Sequence, residues 1–240
     1  MINLFSDFGA SDIYLGQMKA AVIRTAPEIQ MIDLLHDATA FNVQAAAHLL
    51  AALLLKNPAD VTLAVVDPGV GGPRRPLAIE TEFGWLVGPD NGLLSVVAAR
   101  SSRVRIHEIL WRPSHLSSTF HGRDLFAPIA AQIAIDRLPL GALCEIPSLA
   151  VSFGDQDMAQ VIYIDHYGNA MTGIRVGGAG IHGKLRCRDN LLTSARCFSD
   201  VPAGQAFCYE NSLGLMEIAV NGGSAAEALG LMVGMEINVV

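Results

Sequence analysis

Up to about Asp136 the chain alternates short β-branched and aliphatic runs with helix-patterned stretches, and that rhythm restricts the possible folds more than any other feature. Ile2 to Phe5, Ile29 to Leu34 and Val61 to Val66 read as strands; Ser11 to Thr25 and Asn42 to Lys56 read as helices. Strands that alternate with helices predict an α/β domain, a mostly parallel sheet with helices on its faces. Ser11 and Asn42 are the expected N-caps, and Asp12 suits the positive end of the first helix. The second helix is apolar nearly all round, so it is expected to be buried between layers or subunits.

From Leu138 to Asp157 the periodicity stops, with Pro139, Gly141, Pro147 and Gly154 marking a connection. The expected organisation is an N-terminal α/β domain over residues 1–140, a linker over 141–157 and a C-terminal domain over 158–240. Short strands follow at close spacing: Val161 to Asp165, Ala206 to Tyr209, Leu215 to Val220 and Met235 to Val239. Glycine-rich turns separate them, which reads as a small antiparallel barrel or sandwich.

Composition narrows the partners. Hydrophobic residues make up 51% of the 240 and charged residues 16%, which excludes disorder as an organising state. A net charge of -7 lacks the basic stripe that a phosphate backbone demands, so no nucleic acid is expected. The apolar stretch Ala45 to Leu55 is interrupted by His48 and too short to span a bilayer, so no membrane is expected either. The first residues carry no basic and apolar leader, and a cytoplasmic location is expected. Cys144, Cys187, Cys197 and Cys208 are widely spaced and read as reduced core residues rather than a zinc site or disulfide framework. His36, His48, His107, His115, His166 and His182 show no metal-binding spacing, so no metal is assigned.

Five segments carry chemistry-capable residues. VVDPGVGGPRR, Val65 to Arg75, ends a strand on Asp67 and returns through glycines to Arg74 and Arg75, where backbone can approach a ligand closely. Its plain alternative is a tight surface turn. STFHGRD, Ser118 to Asp124, sets His121 just before a helix, where it can act as a base or orient a water, or simply be a satisfied structural histidine. Asp124 reads as the N-cap of that helix. SDFG, Ser6 to Gly9, follows the first strand, so Asp7 is placed to hold a ribose diol or to close an Asx-turn. DHYGN puts Asp165 and Asn169 at a strand-to-turn junction, and NSLG does the same for Asn211 and Ser212. The letters SDFG and HGRD occur without the glycine-rich loop and strand lysine of a protein kinase, and that match is rejected.

Taken in order, SDFG, VVDPGVGGPRR, GPDNG at Gly88 to Gly92, STFHGRDLFAP, DHYGN and NSLGLMEIAVNGG resemble the S-adenosylmethionine hydrolases, also called SAM hydroxide adenosyltransferases, relatives of the fluorinating and chlorinating enzymes. The resemblance implies an N-terminal α/β domain, a C-terminal antiparallel β-barrel domain, and a homotrimer with active sites between subunits. It implies hydrolysis of S-adenosylmethionine to adenosine and methionine, with no cofactor beyond the substrate. The water-activating set falls on Asp67, Arg74 and His121. By the same resemblance Asp7 holds the ribose hydroxyls, Asp165 the methionine ammonium, Ser212 the methionine carboxylate and Asn169 the adenine edge. Phe41 and Phe198 match the aromatic walls, and Glu217 has a weaker ligand role. The halogenating relatives carry an arginine after the serine of NS, where this chain has Leu213.

Three other functions compete with hydrolysis. A halide nucleophile about 4 Å from an ionised Asp67 is repelled by roughly 4 kcal/mol at an effective dielectric near 20, partly offset by Arg74. The chain also lacks the long glycine-rich insertion of the fluorinating members, since only Glu80 to Gly84 links the two relevant strands. A metal-dependent phosphohydrolase would need Asp7, Asp67, Asp90, His121 and Asp124 to converge on a cation. A sensor of adenosyl ligands would keep the pocket and make the Asp-Arg-His set incidental.

Overall fold

The structure, a computed structural model, describes residues 1–177, 184–188 and 190–240; His182 lies outside the described residues. It divides into two compact units, Met1–Asp155 and Gln156–Val240.

The first unit runs β1 (Ile2–Ser6), α1 (Ile13–Thr25), β2 (Met31–Leu35), α2 (Val43–Lys56), β3 (Val61–Val65), β4 (Pro76–Thr81), β5 (Gly84–Pro89), α3 (Ser95–Arg100), β6 (Val104–Ile109), α4 (Ala127–Ala134) and β7 (Leu143–Ile146). All its strands join one sheet in the order β2-β1-β3-β5-β4-β6-β7. The expected α/β fold is present, but the sheet is parallel on one side only. β2, β1, β3 and β5 pair in parallel, whereas β5-β4, β4-β6 and β6-β7 are antiparallel. Only Glu82 and Phe83 separate β4 from β5, and so short a link permits a hairpin, not a crossover.

From β1 the chain crosses through α1 to β2 on one side, then returns through α2 to β3 on the other side of β1. Right-handed crossovers in opposite directions send their helices to opposite faces. α1 accordingly packs on α4 and α2 on α3. Leu4, Met18, Val22, Leu63, Phe126 and Ile129 share the core under α1 and α4.

Asn42 caps α2 as expected, its side-chain oxygen accepting from the Ala45 amide at 3.0 Å. For α1 the cap is Asp12 rather than Ser11. Gly9 turns the chain at φ 81°, and Asp12 is the residue whose carboxylate reaches the Ile13 amide, at 2.5 Å. α2 is buried along most of its length, as its all-round apolarity implied. The stretch read as a linker from Gly141 contains β7, which pairs with β6 and belongs to the sheet. Of the cysteines, Cys187 and Cys208 are buried, but Cys144 is exposed on the edge strand β7 and Cys197 only half-buried; all four are free thiols.

In the second unit β8 (Met158–Ile164), β9 (Ala170–Arg175), β10 (Leu185–Cys187), β11 (Asn190–Leu192), β12 (Ala206–Glu210), β13 (Leu215–Val220) and β14 (Asn238–Val239) form two antiparallel sheets, β12-β13-β9-β8 and β11-β10-β14, with the short helix α5 (Ala225–Leu229) between β13 and β14 in the chain. Isolated bridges tie their margins at both ends, Gln160 to Glu236 and Ser194 to Cys208. Val161, Ile174, Leu185, Met216 and Ile218 pack in the common core.

Gly84 starts β5 at φ 102°, and a Cβ there would lie 1.9 Å from the Ala59 carbonyl oxygen. Gly84→Ala is therefore expected to destabilise the fold by about 2 kcal/mol or more, read as a lowered midpoint in urea unfolding.

Candidate active site

The change of direction at β1 creates the site. β1 and β3 lie side by side in parallel, Ser6 opposite Val65, while their connections leave toward opposite edges. At such a switch point no loop covers the carboxyl ends of the strands, and a crevice opens. Asp7 follows β1 directly, Asp67 lies two residues beyond β3, and Phe41 comes from the loop after β2. These three and His121 line one small cavity of about 120 Å³, with Phe8 and Phe120 among its walls. Phe41 is 81% exposed and sits in the left-handed region at φ 65°. An aromatic side chain so placed gains no packing here in return for its backbone strain.

Asp67, with only 4% of its side chain exposed, is clamped by Arg74. The guanidinium Nε lies 2.9 Å from each carboxylate oxygen, and Nη2 donates to Oδ2 as well. Nη2 also lies 2.9 Å from Nδ1 of His121, and the group stands 5.5 Å above the Phe126 ring. Arginine only donates, so Nδ1 accepts and the proton of the neutral ring sits on Nε2. Burial, reinforced by Arg74 and opposed by Asp67, holds His121 below its ordinary value of 6.5. Burial raises Asp7, and Asp67 pushes it the same way, against its own amide and that of Phe41.

Two close approaches align the loops that carry these groups. Gly71 stands at φ 80°, and a Cβ there would fall 2.3 Å from the Ser118 carbonyl oxygen, so the glycine turn lies directly on the loop before His121. A π-helical turn, Gly122–Phe126, begins at the next residue and leads into α4. Asp124 is therefore not the N-cap; its carboxylate accepts from the Ser117 amide at 2.9 Å and from Arg123 Nε at 2.6 Å, pinning the same loop. Those bonds, Arg123 first, hold Asp124 below the usual carboxylate range.

The neighbouring arginines part company. Arg75 donates to Asp90 at 2.8 Å and to the Ser148 carbonyl at 3.0 Å, while Asp90 accepts from the Ala150 amide. Asp90 and Asp124 thus hold the framework and do not converge with Asp7 and Asp67. Among the described residues no three His, Cys, Asp or Glu side chains gather as a cation site.

In the second unit Asp165, Asn169, Phe198, Ser212, Glu217 and Tyr209 line a larger cavity of about 730 Å³. The DHYGN turn is self-bonded: Asp165 accepts from the Tyr167 and Asn169 amides at 2.9 and 2.8 Å, and from the Asn169 side chain at 2.9 Å. Phe198 meets Phe207 and Tyr209 edge-on at 5.2 and 5.4 Å. Ser212 is exposed on the NSLG turn. Glu217 is only 2% exposed and accepts from Tyr209 and from Asn211 at 2.8 Å. Burial raises Glu217 despite both donors. Tyr209 was not singled out from the sequence. It meets Glu217 only because β12 and β13 pair with those residues opposite, a register that nothing local announces.

The sequence pattern of the SAM hydroxide adenosyltransferase N-terminal domain matches residues 2–142, and that of its C-terminal domain matches 159–238. The chain belongs to the SAM hydroxide adenosyltransferase family. A protein named (R)-S-adenosyl-L-methionine hydrolase from Salinispora arenicola is 36% identical over 254 residues, covering 99% of this chain and 97% of the relative. A fluorinase of Actinopolyspora mzabensis is more distant, 24% identical over 100% of this chain and 96% of its own. Among solved structures, an uncharacterized conserved protein from Thermotoga maritima superposes with a TM-score of 0.88 at 33% identity, covering 100% of this chain and 99% of that one.

In this member of the SAM hydroxide adenosyltransferase family the Asp67–Arg74 pair also carries stability. Arg74→Met leaves a nearly buried carboxylate without its cation and is expected to destabilise the protein by about 3 kcal/mol, while Asp67→Asn added to it restores most of the loss, measured by denaturant unfolding.

Proposed function

We propose that this chain hydrolyses S-adenosyl-L-methionine to adenosine and L-methionine by attack of water on ribose C5′. The observation that carries the reading is that Asp67 and His121, joined to each other through Arg74, line the same crevice as Asp7 at the β1/β3 switch point. Family membership and the hydrolase names of the more similar relatives support it. The water oxygen bonds to C5′ as the C5′–S bond breaks; its electron pair returns to sulfur and leaves methionine as a neutral thioether. Loss of positive charge at sulfur favours a dry pocket, provided water is held in line.

The demanding part is the nucleophile, because bulk water has a pKa of about 15.7. His121 uses Nδ1 as the acceptor for Arg74 and keeps its proton on Nε2, so Asp67 is the member of the set left to receive the water proton. Arg74 and His121 then hold the developing hydroxide and the carboxylate in place. General-base help of this kind contributes roughly 10²- to 10⁴-fold. In this scheme Asp7 takes the ribose hydroxyls and Phe41 walls the substrate, and the second unit is given its own ligand residues, with Phe198 as its aromatic wall. Asp165 takes the ammonium, Ser212 the carboxylate and Asn169 the adenine edge, with Glu217 in a supporting ligand role. The scheme includes a homotrimer with sites between subunits and a cytoplasmic location; the exposed Phe41 supports a covering partner, and a solution mass of one subunit would remove the trimer from it.

Product chromatography tests the reaction. Adenosine and methionine are expected in equal amounts with or without chelator and in halide-free or halide-rich buffer; a halogenated adenosine would make halide the nucleophile, and adenosine binding without turnover would make the protein a sensor. The relatives carry the (R) sulfonium epimer in their names, and faster turnover of that epimer is expected when the two are supplied separately.

Asp67→Asn is expected to lower kcat by about 10²-fold or more while adenosine affinity changes little, because the lost interaction belongs to the chemical step. The pH profile follows from His121. Protonation would set a donor against Arg74, and burial holds the ring's pKa below 6.5, so kcat should be flat through neutrality and fall only below about pH 6.5. A limb centred at or above neutrality would remove neutral His121 from the mechanism.

A further inference from the structure

Behind the turn that presents Asp7 lies a chain of polar groups, buried at Ser6 and His36 and open to solvent at Asp33, to which the hydrolysis assigns no step. Ser6, the last residue of β1, is 0% exposed, and its Oγ lies 2.8 Å from Nδ1 of His36, itself buried just past the end of β2. Nε2 of His36 lies 3.0 Å from Oδ1 of Asp33, whose Oδ2 accepts from Lys19 Nζ at 2.6 Å. Serine, histidine and carboxylate stand in the order of a nucleophilic triad, but a serine sealed within the sheet meets no substrate.

The direction of each bond follows from the chemistry. A carboxylate accepts, so the neutral ring keeps its proton on Nε2 for Asp33, and Nδ1 accepts from the Ser6 hydroxyl. The Ser6 oxygen in turn accepts from the Phe8 amide at 3.4 Å. Backbone bonds lace the same place: the Gly9 amide donates to the His36 carbonyl at 2.7 Å and the Ala38 amide to the Ser6 carbonyl at 3.2 Å. Asp7 stands between Ser6 and Phe8, at the centre of this turn. Beyond the end of β1 these contacts hold the turn, and together with the amides of Asp7 and Phe41 that bond its carboxylate they set where Asp7 points.

We propose that His36 is a positioning residue for the nucleoside site, acting through Ser6 to fix the turn that presents Asp7 to the ribose hydroxyls. The proposal rests on the function proposed above. A carboxylate that meets two adjacent hydroxyls at once must be held to about 0.5 Å, which a free turn does not provide.

Two substitutions separate this role from simple core packing. His36→Asn puts an amide oxygen near the position of Nδ1 and keeps the acceptor for Ser6; His36→Gln puts an amide N–H near the position of Nε2 and keeps only the Asp33 bond. Adenosine binding by calorimetry, kcat and KM, and melting temperature are measured on the full chain for both, with Ser6→Ala and Asp7→Ala alongside. His36→Gln and Ser6→Ala are expected to weaken adenosine binding about tenfold, the value of one side-chain hydrogen bond, and to raise KM by a similar factor with kcat little changed. His36→Asn is expected to stay within about threefold of the parent protein. Equal loss in the Asn and Gln variants, or better binding by the Gln variant, would overturn the proposal. If Asp7→Ala loses adenosine and His36→Gln does not, the positioning role alone fails. If Asp7→Ala binds adenosine normally, the ribose assignment falls and takes the proposal with it.

Discussion

The parallel pairing of β1 with β3, entered from opposite directions, is the constraint on which the first unit depends. It divides α1 and α2 between the two faces of the sheet, and it leaves the crevice where Asp7 and Asp67 emerge side by side. Both strands are buried, so a shift in their register would expose core side chains as well as misplace the carboxylates. Packing energy therefore holds the spacing of the reactive groups, and the site inherits its precision from the core.

On that frame the charged groups form two kinds of arrangement. Asp67 and His121, which line the crevice, are joined through Arg74 in a compact polar set, with an aromatic ring under the guanidinium. Arg75 with Asp90, and Arg123 with Asp124, do structural work beside it: each pair ties a loop that would otherwise lack regular hydrogen bonds. Gly71 lets two of those loops touch backbone to backbone. The geometry of the site thus depends on neighbours that do not line it.

The second unit supplies a different environment. Its cavity combines the rings of Phe198 and Tyr209 with two carboxylates, one engaged in its own turn and one buried beneath a phenol and an amide. A cation entering such a cavity gains from both carboxylates and from the aromatic faces. This character suits the cationic groups of the substrate proposed above.

Much of this was legible along the chain because it is local. Strand and helix periods, the Asn42 cap, the glycine turn after Asp67 and the motifs around His121 depend on residues a few positions apart, and several motifs in fixed order resemble one family. Other features depend on which segments meet in space. Asp12 rather than Ser11 at the first helix and Asp124 as a loop anchor follow from the path the loops take, while the hairpin that makes half of the sheet antiparallel and the different duties of Arg74 and Arg75 follow from packing between segments. So do the partners of Glu217, which register alone brings opposite Tyr209. The sequence by itself determined the order of elements, the buried faces and the set of reactive residue types, since these rest on periodicity and short-range chemistry. Tertiary structure alone decided which of two adjacent arginines meets Asp67 and which meets Asp90, which ring nitrogen holds its proton and which polar groups are sealed from water, because each of these depends on how separate loops and strands pack once the sheet has formed.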